Sequence, residues 1–221
     1  IKLVKRVTGR TEIVSLHGSY HGSTNGSLSI SGNEPRKSAF RPLLPDVSFI
    51  VLNDIADLNN ITERTAGVFI ETIQGDAGVR IPNKDYLVAL QKRCNEVGAL
   101  LVTDEIQCGF ARTGKWWAFE HFNIVPDAMT MGKALGGGMP IGCVGASSRL
   151  LSQFTHNPEL GHISTFAGHP LVAAASLAAI EVIQKENLLE QINSKALRIR
   201  EFLDTLSAVK EVRNKGLMFG I

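Results

Sequence analysis

The residues best suited to catalysis by their type and position are a lysine near a run of glycines and two carboxylates after an apolar segment. Lys133 stands in DAMTMGKALGGGMP, behind a short apolar strand that ends at Gly132. The glycines allow close backbone approach and positive φ angles, and a lysine held beside them can form an imine with a carbonyl compound. A phosphate-binding loop is disfavoured, because Asp127 occupies the position of that motif's first glycine and Ala134 replaces its hydroxyl residue. A solvated lysine beside a turn is the other alternative.

The two carboxylates, Asp104 and Glu105, directly follow the apolar run ALLVT. Polar side chains at the carboxyl ends of parallel strands face the crevice in which α/β proteins bind their ligands. A carboxylate at a buried strand end is costly unless a cation or hydrogen-bond donors compensate it, so we expect Asp104 to have a positive partner. The alternative is a structural aspartate that caps a neighbouring helix.

The elements that must position these residues follow from the apolar pattern. Short β-branched runs predict strands, and apolar residues at helical spacing between Pro82 and Gly98 predict an amphipathic helix. This strand, helix, strand order indicates an α/β fold with a mostly parallel sheet between helices and a ligand site beyond the carboxyl ends of the strands. The predicted strands are EIVSL (12–16), SFIVL (48–52), AGVFIE (66–71) and ALLVTDE (99–105).

The chain changes character after Gly168. Residues 169–206 predict two long helices, of which the first is rich in alanine and apolar over much of its surface, as is typical of a packed connecting helix. The chain begins in a basic helical segment and ends on the apolar strand KGLMFGI, which has no partner strand after it. We therefore expect both ends to be cut.

Composition and charge narrow the class of protein. The net charge of +2 and the scattered lysines and arginines argue against nucleic acid or an anionic membrane as a partner and favour a small molecule. No apolar run has the length of a membrane span or a signal peptide, so a cytoplasmic location is expected. Cys94, Cys108 and Cys143 are odd in number and widely spaced, which predicts reduced core thiols and neither a disulfide frame nor a metal site.

Four motifs occur in order along the chain: YHGSTNGSLS (20–29), ETIQGDAGV (71–79), TDEIQCGFARTGKWWAFEHFNIVPDAMTMGKALGGGMPIG (103–142) and STFAGHPLVAAA (164–175). Together they resemble the class III (omega) aminotransferases, and in particular those of the acetylornithine and ornithine aminotransferase type. The resemblance covers nearly all of the chain. It implies the large domain of the type I pyridoxal-phosphate fold, with long connecting helices on its carboxyl-terminal side.

The resemblance implies pyridoxal 5'-phosphate as the cofactor and assigns four residues to it. Lys133 would form the covalent internal aldimine and then, as the free amine, move the substrate proton. Asp104 would pair with the pyridine nitrogen and keep it protonated, so that the ring accepts electrons. Gln107 would donate a hydrogen bond to the phenolic oxygen of the cofactor, and Tyr20 would stack on its ring.

The resemblance also assigns roles outside this group. Thr165, assisted by Ser164, matches the residue that reaches the cofactor phosphate of the neighbouring subunit, so a homodimer with shared active sites is expected. Glu71 matches a glutamate near the cofactor and substrate. Asp76 matches a second acidic position, which in some members pairs with an arginine that swings aside for different substrates.

One departure from the family concerns the substrate. Ser23 stands where members acting on acetylornithine, ornithine or 4-aminobutyrate usually have an arginine that grips a substrate carboxylate. Serine cannot supply the bidentate, charge-assisted hydrogen bonds of an arginine, so an acidic substrate anchored at this position is in doubt. Ser23, Glu71 and Asp76 are the substrate-binding candidates.

The domains implied by the resemblance are a large cofactor-binding domain at residues 1–178 and, at residues 179–221, connecting helices with the start of a small domain. The family's phosphate-binding Gly-Ser/Thr loop would precede Ile1, and the carboxylate-binding arginine of its small domain would follow Ile221. We therefore expect weak cofactor binding from this chain alone and an active enzyme from a longer one.

The predicted function is that of a transaminase that moves a terminal or side-chain amino group from an amine or amino acid to a 2-oxo acid such as 2-oxoglutarate or pyruvate. An acetylornithine or ornithine aminotransferase proper is the nearest alternative. An aminomutase or racemase on the same scaffold and a catalytically inactive fragment are the others.

Overall fold

The buried, β-branched runs assemble into one six-stranded sheet. A computed structural model describes residues 1–221. The strands are β1 (Glu12–Leu16), β2 (Val47–Ile50), β3 (Thr65–Glu71), β4 (Leu100–Asp104), β5 (Ala128–Gly132) and β6 (Gly142–Ala146). Their order in the sheet is β2-β1-β3-β4-β5-β6, in which the first five run parallel and β6 is antiparallel to β5. The predicted mostly parallel α/β sheet is confirmed.

Helices cover both faces of this sheet. The first four are α1 (Lys2–Thr8), α2 (Asn25–Ile30), α3 (Lys84–Val97) and α4 (Ser148–Leu151). The predicted amphipathic helix is α3, which ends at Gly98 in the left-handed conformation (φ +69°) that glycine adopts without steric cost. Its buried Leu87, Leu90 and Cys94 join the main hydrophobic core. A smaller core, with Val4 of α1, covers the other face, and every residue of β3 is buried.

Two long helices follow, as predicted: α5 (Pro170–Lys185) and α6 (Leu188–Asp204). The predicted domain boundary after residue 178 falls inside α5, and the division of the chain into domains stays a prediction. The last apolar segment forms β8 (Met218–Gly220), which pairs with the preceding strand β7 (Arg213–Lys215) in an antiparallel hairpin.

The cysteines differ in their surroundings. Cys94 and Cys108 are buried free thiols, as predicted, and burial raises the pKa of Cys94 to about 12. Cys143 is also free but is exposed, so its prediction as a core thiol was wrong. The reason is its position on β6, an edge strand of the sheet, which the apolar pattern did not identify. The structure contains no helix whose length and apolar character would let it span a lipid bilayer.

Candidate active site

Asp104 and Lys133 meet at the carboxyl edge of the sheet. Asp104 is the last residue of β4, and Lys133 directly follows the neighbouring strand β5. Because the two strands are parallel and adjacent, both residues emerge at the same edge. They line one cavity of about 90 Å³, together with Tyr20, Glu71 and Gln107. The structure therefore brings together five of the residues that the sequence singled out.

The backbone at Lys133 has a conformation that is uncommon outside glycine. Lys133 has φ +46°, is exposed, and begins a short 3-10 helix (Lys133–Gly136). Left-handed backbone at a non-glycine residue costs free energy and is found preferentially at functional sites. At Gly137, with φ +58°, a Cβ would lie 2.6 Å from the carbonyl oxygen of Ala175 in α5. The glycine run thus lets α5 approach the loop that carries the lysine.

Asp104 has the basic partner that its burial required. The residue is 8% exposed, and its Oδ1 accepts a hydrogen bond from the Ile106 amide (3.1 Å). His21 Nδ1 lies 2.8 Å from Asp104 Oδ2 and donates to it, because a carboxylate can only accept. The other ring nitrogen, Nε2, lies 3.2 Å from the hydroxyl of Ser15. The imidazole is thereby fixed at both ends.

His21 was given no role from the sequence. The available signals were its place directly after Tyr20 in YHG and the need of buried Asp104 for a positive or donating partner. The two residues are 83 positions apart, and only the fold joins them.

The helix-capping role that was the alternative for Asp104 is performed by Glu105. Glu105 is 2% exposed and accepts hydrogen bonds from the amides of Ala118 (2.8 Å) and Phe119 (3.1 Å), which begin a 3-10 helix (Ala118–His121). The hydroxyl of Thr72 also donates to it, over 2.6 Å. Burial raises the pKa of Glu105 above its ordinary range, although these donors oppose the shift. Of the two adjacent carboxylates, Asp104 lines the cavity and Glu105 is structural.

Glu71 joins two loops at the rim of the cavity. It is 6% exposed, and its two oxygens accept hydrogen bonds from the amides of Tyr20 (2.8 Å) and Gly75 (3.0 Å). Burial is the main cause that raises the pKa of Glu71 above its ordinary range. Both carboxylate oxygens are therefore engaged by backbone. Ser23 is exposed and lies outside the cavity lining, with its hydroxyl 3.1 Å from that of Tyr20.

Gln107 and Asp76 both lie next to Gly75. The amide of Gln107 packs so closely on Gly75 that a Cβ at residue 75 would displace it. Asp76, next along the chain, forms an ion pair with Arg36 (Nη1 to Oδ2, 2.7 Å). The guanidinium of Arg36 also lies over the ring of Tyr20, 5.5 Å from its centroid. The sequence gave Arg36 no role.

Ser164 and Thr165 lie away from the cavity that Lys133 lines. Both are exposed, in the segment between α4 and α5. Ser164 instead lines a much larger surface cavity of about 950 Å³, which β6 borders. Within one chain these residues do not reach Asp104 or Lys133, and their predicted contact with a second subunit stays a prediction.

Comparison with known proteins decides the family. The family described as "Aminotransferase class-III" matches residues 1–221. The chain belongs to the class III aminotransferases. It is 42% identical, over all of its length, to the [LysW]-aminoadipate semialdehyde/glutamate semialdehyde transaminase of Sulfurisphaera tokodaii, of which it covers 57%. It is 39% identical, over all of its length, to the acetylornithine aminotransferase of Methanopyrus kandleri, of which it also covers 57%.

Solved structures of aminotransferases share this fold. The ornithine aminotransferase of Toxoplasma gondii ME49 superposes with a TM-score of 0.89 at 29% identity, over 99% of this chain and 54% of that one. The taurine:2-oxoglutarate aminotransferase of Bifidobacterium kashiwanohense, solved with PLP and glutamate, gives a TM-score of 0.86 at 27% identity, over 99% of this chain and 55% of that one. As a class III aminotransferase, the chain thus spans a little over half the length of the relatives that it matches.

Proposed function

We propose that this chain forms the pyridoxal-phosphate-binding core of a transaminase, which transfers a terminal or side-chain amino group to a 2-oxo acid. One observation carries the proposal: Lys133, in strained backbone, and buried Asp104 line the same cavity at the carboxyl edge of a parallel sheet. The membership of the whole chain in the class III family supports it.

The chemistry of the donor set fits this cofactor. A primary amine (Lys133), a buried carboxylate (Asp104) and an aromatic ring (Tyr20) line one cavity, and these groups suit an aldehyde, a pyridine nitrogen and a flat ring respectively. Gln107 supplies an amide donor for a phenolic oxygen. When bound, pyridoxal phosphate supplies an aldehyde that condenses with amines and a ring that accepts electrons.

The protein's own groups have separate tasks. The amine of Lys133 removes and returns the proton on the substrate carbon that bears the amino group. Asp104 would pair with the ring nitrogen of the cofactor, and the 2.8 Å hydrogen bond from His21 holds the Asp104 carboxylate in position. Glu71 fixes the loop of Tyr20 through the Tyr20 amide. Lys133 and Asp104 are the catalytic pair in this proposal, and His21 is a positioning residue.

Covalent labelling of Lys133 tests the cofactor site directly. The protein is incubated with pyridoxal phosphate, reduced with borohydride and digested, and the modified lysine is located by peptide mass. We expect the label on Lys133, its loss in Lys133→Ala, and its retention in Lys115→Ala, which removes another exposed lysine. A label that persists in Lys133→Ala would refute the assignment.

The proposal includes a homodimer in which Ser164 and Thr165 serve the cofactor phosphate of the partner subunit. Their exposure and their distance from the Lys133 cavity support it. The test mixes two inactive variants, Lys133→Ala and Thr165→Ala, because only a hybrid dimer with shared sites contains one intact site. Random mixing makes about half of the dimers hybrids, so about a quarter of the wild-type activity should return. No recovery would exclude shared sites.

Two further parts of the proposal concern location and domains. A cytoplasmic location is supported by the buried free thiols Cys94 and Cys108, which suit a reducing compartment. A cofactor domain at residues 1–178 and connecting helices from residue 179 onward are supported by the long α5 and α6.

A further inference from the structure

A series of four hydrogen bonds connects the backbone amide of Gly32 to the carboxylate of Asp104. The Gly32 amide, shared with the Ser19 carbonyl oxygen (2.8 Å), lies 3.1 Å from the Ser19 hydroxyl oxygen. This hydroxyl lies 3.1 Å from that of Ser15, which in turn lies 3.2 Å from His21 Nε2. His21 Nδ1 completes the series, 2.8 Å from Asp104 Oδ2. Both serines are fully buried, and the side chain of His21 is 3% exposed, so water does not complete these bonds.

The two ends of this series determine which way its protons point. The amide of Gly32 can only donate, and the carboxylate of Asp104 can only accept. Each serine hydroxyl has one proton, so Ser19 donates to Ser15 and Ser15 donates to Nε2 of the imidazole. Every proton of the series then has an acceptor. Because Nε2 accepts in this arrangement, His21 carries its one ring proton on Nδ1.

The opposite direction leaves a buried proton without an acceptor. A doubly protonated His21 would donate from Nε2 to the Ser15 oxygen, and Ser15 would then have to donate to Ser19. The proton of Ser19 would have no acceptor, because the structure places no other one within hydrogen-bonding distance of either hydroxyl. A buried donor without a partner is costly. The two serines therefore favour a neutral imidazole beside Asp104.

The charged groups of the cavity lie on the other side of the ring. Asp104, Glu71 and Lys133 line the cavity together with His21. The hydrogen-bond partner of Nε2 is Ser15, which belongs to β1 and lies outside that lining. The protonation of Nε2 is thus controlled from behind the cavity wall.

We infer that Ser15 is a positioning residue that holds His21 as the neutral Nδ1–H tautomer, so that Asp104 keeps its full negative charge for the ring nitrogen of a cofactor. A neutral donor fixes the carboxylate in place without cancelling its charge. An imidazolium would make the same hydrogen bond but would neutralise the carboxylate. The consequence for the cofactor rests on the proposed transaminase function, whereas the tautomer does not depend on it.

The first experiment locates the ring proton of His21 without any cofactor. The chain has six histidines, so histidine is labelled with nitrogen-15, and the signals of His21 are identified by their loss in His21→Gln. Long-range proton–nitrogen spectra at neutral pH distinguish Nδ1 from Nε2 by their couplings to the ring carbon protons. We expect a protonated Nδ1 and a bare Nε2. Two protonated nitrogens, or a proton on Nε2 alone, would overturn the inference.

Three variants test whether Ser15 is the donor to this nitrogen. Ser15→Ala removes the hydroxyl, so the Nε2 resonance of His21 should move to that of a nitrogen without a hydrogen bond. Ser15→Thr keeps a hydroxyl and should restore the wild-type resonance. Ser48→Ala is the matched control, because Ser48 lies on the adjacent strand β2 and its buried hydroxyl has no partner. An unchanged resonance in Ser15→Ala, or an equal change in Ser48→Ala, would contradict the assignment.

The second experiment is a double-mutant cycle on the cofactor-loaded enzyme. Ser15→Ala should lower kcat about tenfold and leave KM for the oxo acid unchanged, because Ser15 acts through Asp104 and does not touch the substrate. In the Asp104→Asn background the same change should lower kcat by less than about twofold, since the charge that Ser15 preserves is already absent. Equal effects in both backgrounds would overturn the inference while leaving the transaminase proposal standing. Failure of the transaminase proposal appears separately, as a wild-type Lys133 that takes no label.

Discussion

The sheet and the last two long helices bury their apolar side chains to different extents. Helix α3 buries five residues against the sheet, whereas α5 buries only Ser176 and α6 only Ile192 and Ala196. Several large apolar residues of α5 and α6 are exposed: Leu171 (59%), Leu177 (57%), Leu197 (57%) and Phe202 (63%). Exposed apolar patches of this kind mark interaction surfaces. The sheet half completes its own core, whereas the helical half presents a surface that suits contact with further protein.

The largest effect is expected in the sheet half, at the cavity. Asp104→Asn keeps the shape and the acceptor for the Ile106 amide but removes the carboxylate that faces His21. Steady-state kinetics should show kcat reduced by about a hundredfold or more, because preorganised charge at the site is lost. The labelling of Lys133 should persist. A variant with wild-type kcat would remove Asp104 from the catalytic pair.

A core truncation in the sheet half should cost the most stability. Leu90 of α3 is fully buried in the main core, so Leu90→Ala leaves a cavity. We expect the free energy of unfolding in urea to fall by about 2–5 kcal/mol. A loss below this range would mean that α3 is less tightly packed than its burial indicates.

Replacement of Glu105 tests how much a buried polar network contributes to the stability of the sheet half. In Glu105→Gln an NH2 group replaces one carboxylate oxygen. This NH2 group is a donor, and it must face other donors: either the Ala118 amide, or the Phe119 amide and the Thr72 hydroxyl. The expected loss at neutral pH is about 1–3 kcal/mol in the free energy of unfolding. Wild-type stability in this variant would show that the cap at Ala118 is dispensable.

The same variant carries a pH signature. Burial raises the pKa of Glu105 in the folded protein above its ordinary value of 4.5, so the folded state holds this proton more tightly than the unfolded chain does. The contribution of this proton binding to the free energy of unfolding is fully present below pH 4.5. It is lost as the pH rises through the pKa that Glu105 has in the folded protein. The advantage of the wild type over Glu105→Gln should therefore grow as the pH falls towards 4.5. A constant difference would contradict the direction of the shift.

The smallest effect is expected in the helical half. Leu197 of α6 is 57% exposed, so Leu197→Ala removes little buried surface. Its free energy of unfolding should stay within about 0.5 kcal/mol of the wild type. It is the matched control for Leu90→Ala, and a large loss would mean that α6 is covered when the protein is in solution.

The sequence predicted what local patterns determine. The strands, α3, α5 and α6 follow from apolar periodicity, and the meeting of Asp104 with Lys133 follows from the rule that parallel strands end at one edge. The boundaries of β1 to β4 were correct to within one or two residues, whereas the last strand begins three residues later than KGLMFGI predicted. The edge strand β6 was not predicted, because GCVGA is short, glycine-rich and mostly exposed.

The polar contacts could not be predicted in the same way. The His21–Asp104 hydrogen bond and the contact of Arg36 with the ring of Tyr20 join short polar segments whose conformation is set by the fold. No periodicity marks such segments, and a guanidinium has many possible partners on a surface. The family resemblance implied that Asp76 could pair with an arginine, but it did not identify Arg36 as that arginine.

The antiparallel pairing of β6 with β5 also limits the motion of the loop that carries Lys133. Residues 133–141 form a closed loop whose ends are joined by the pairing of Gly132 with Gly142. A loop this short has little freedom of its own while its base is closed. Amide hydrogens of the β5–β6 ladder should therefore exchange with solvent in step with excursions of the lysine. Fraying of β6 alone would disorder the reactive amine while the five parallel strands stayed folded.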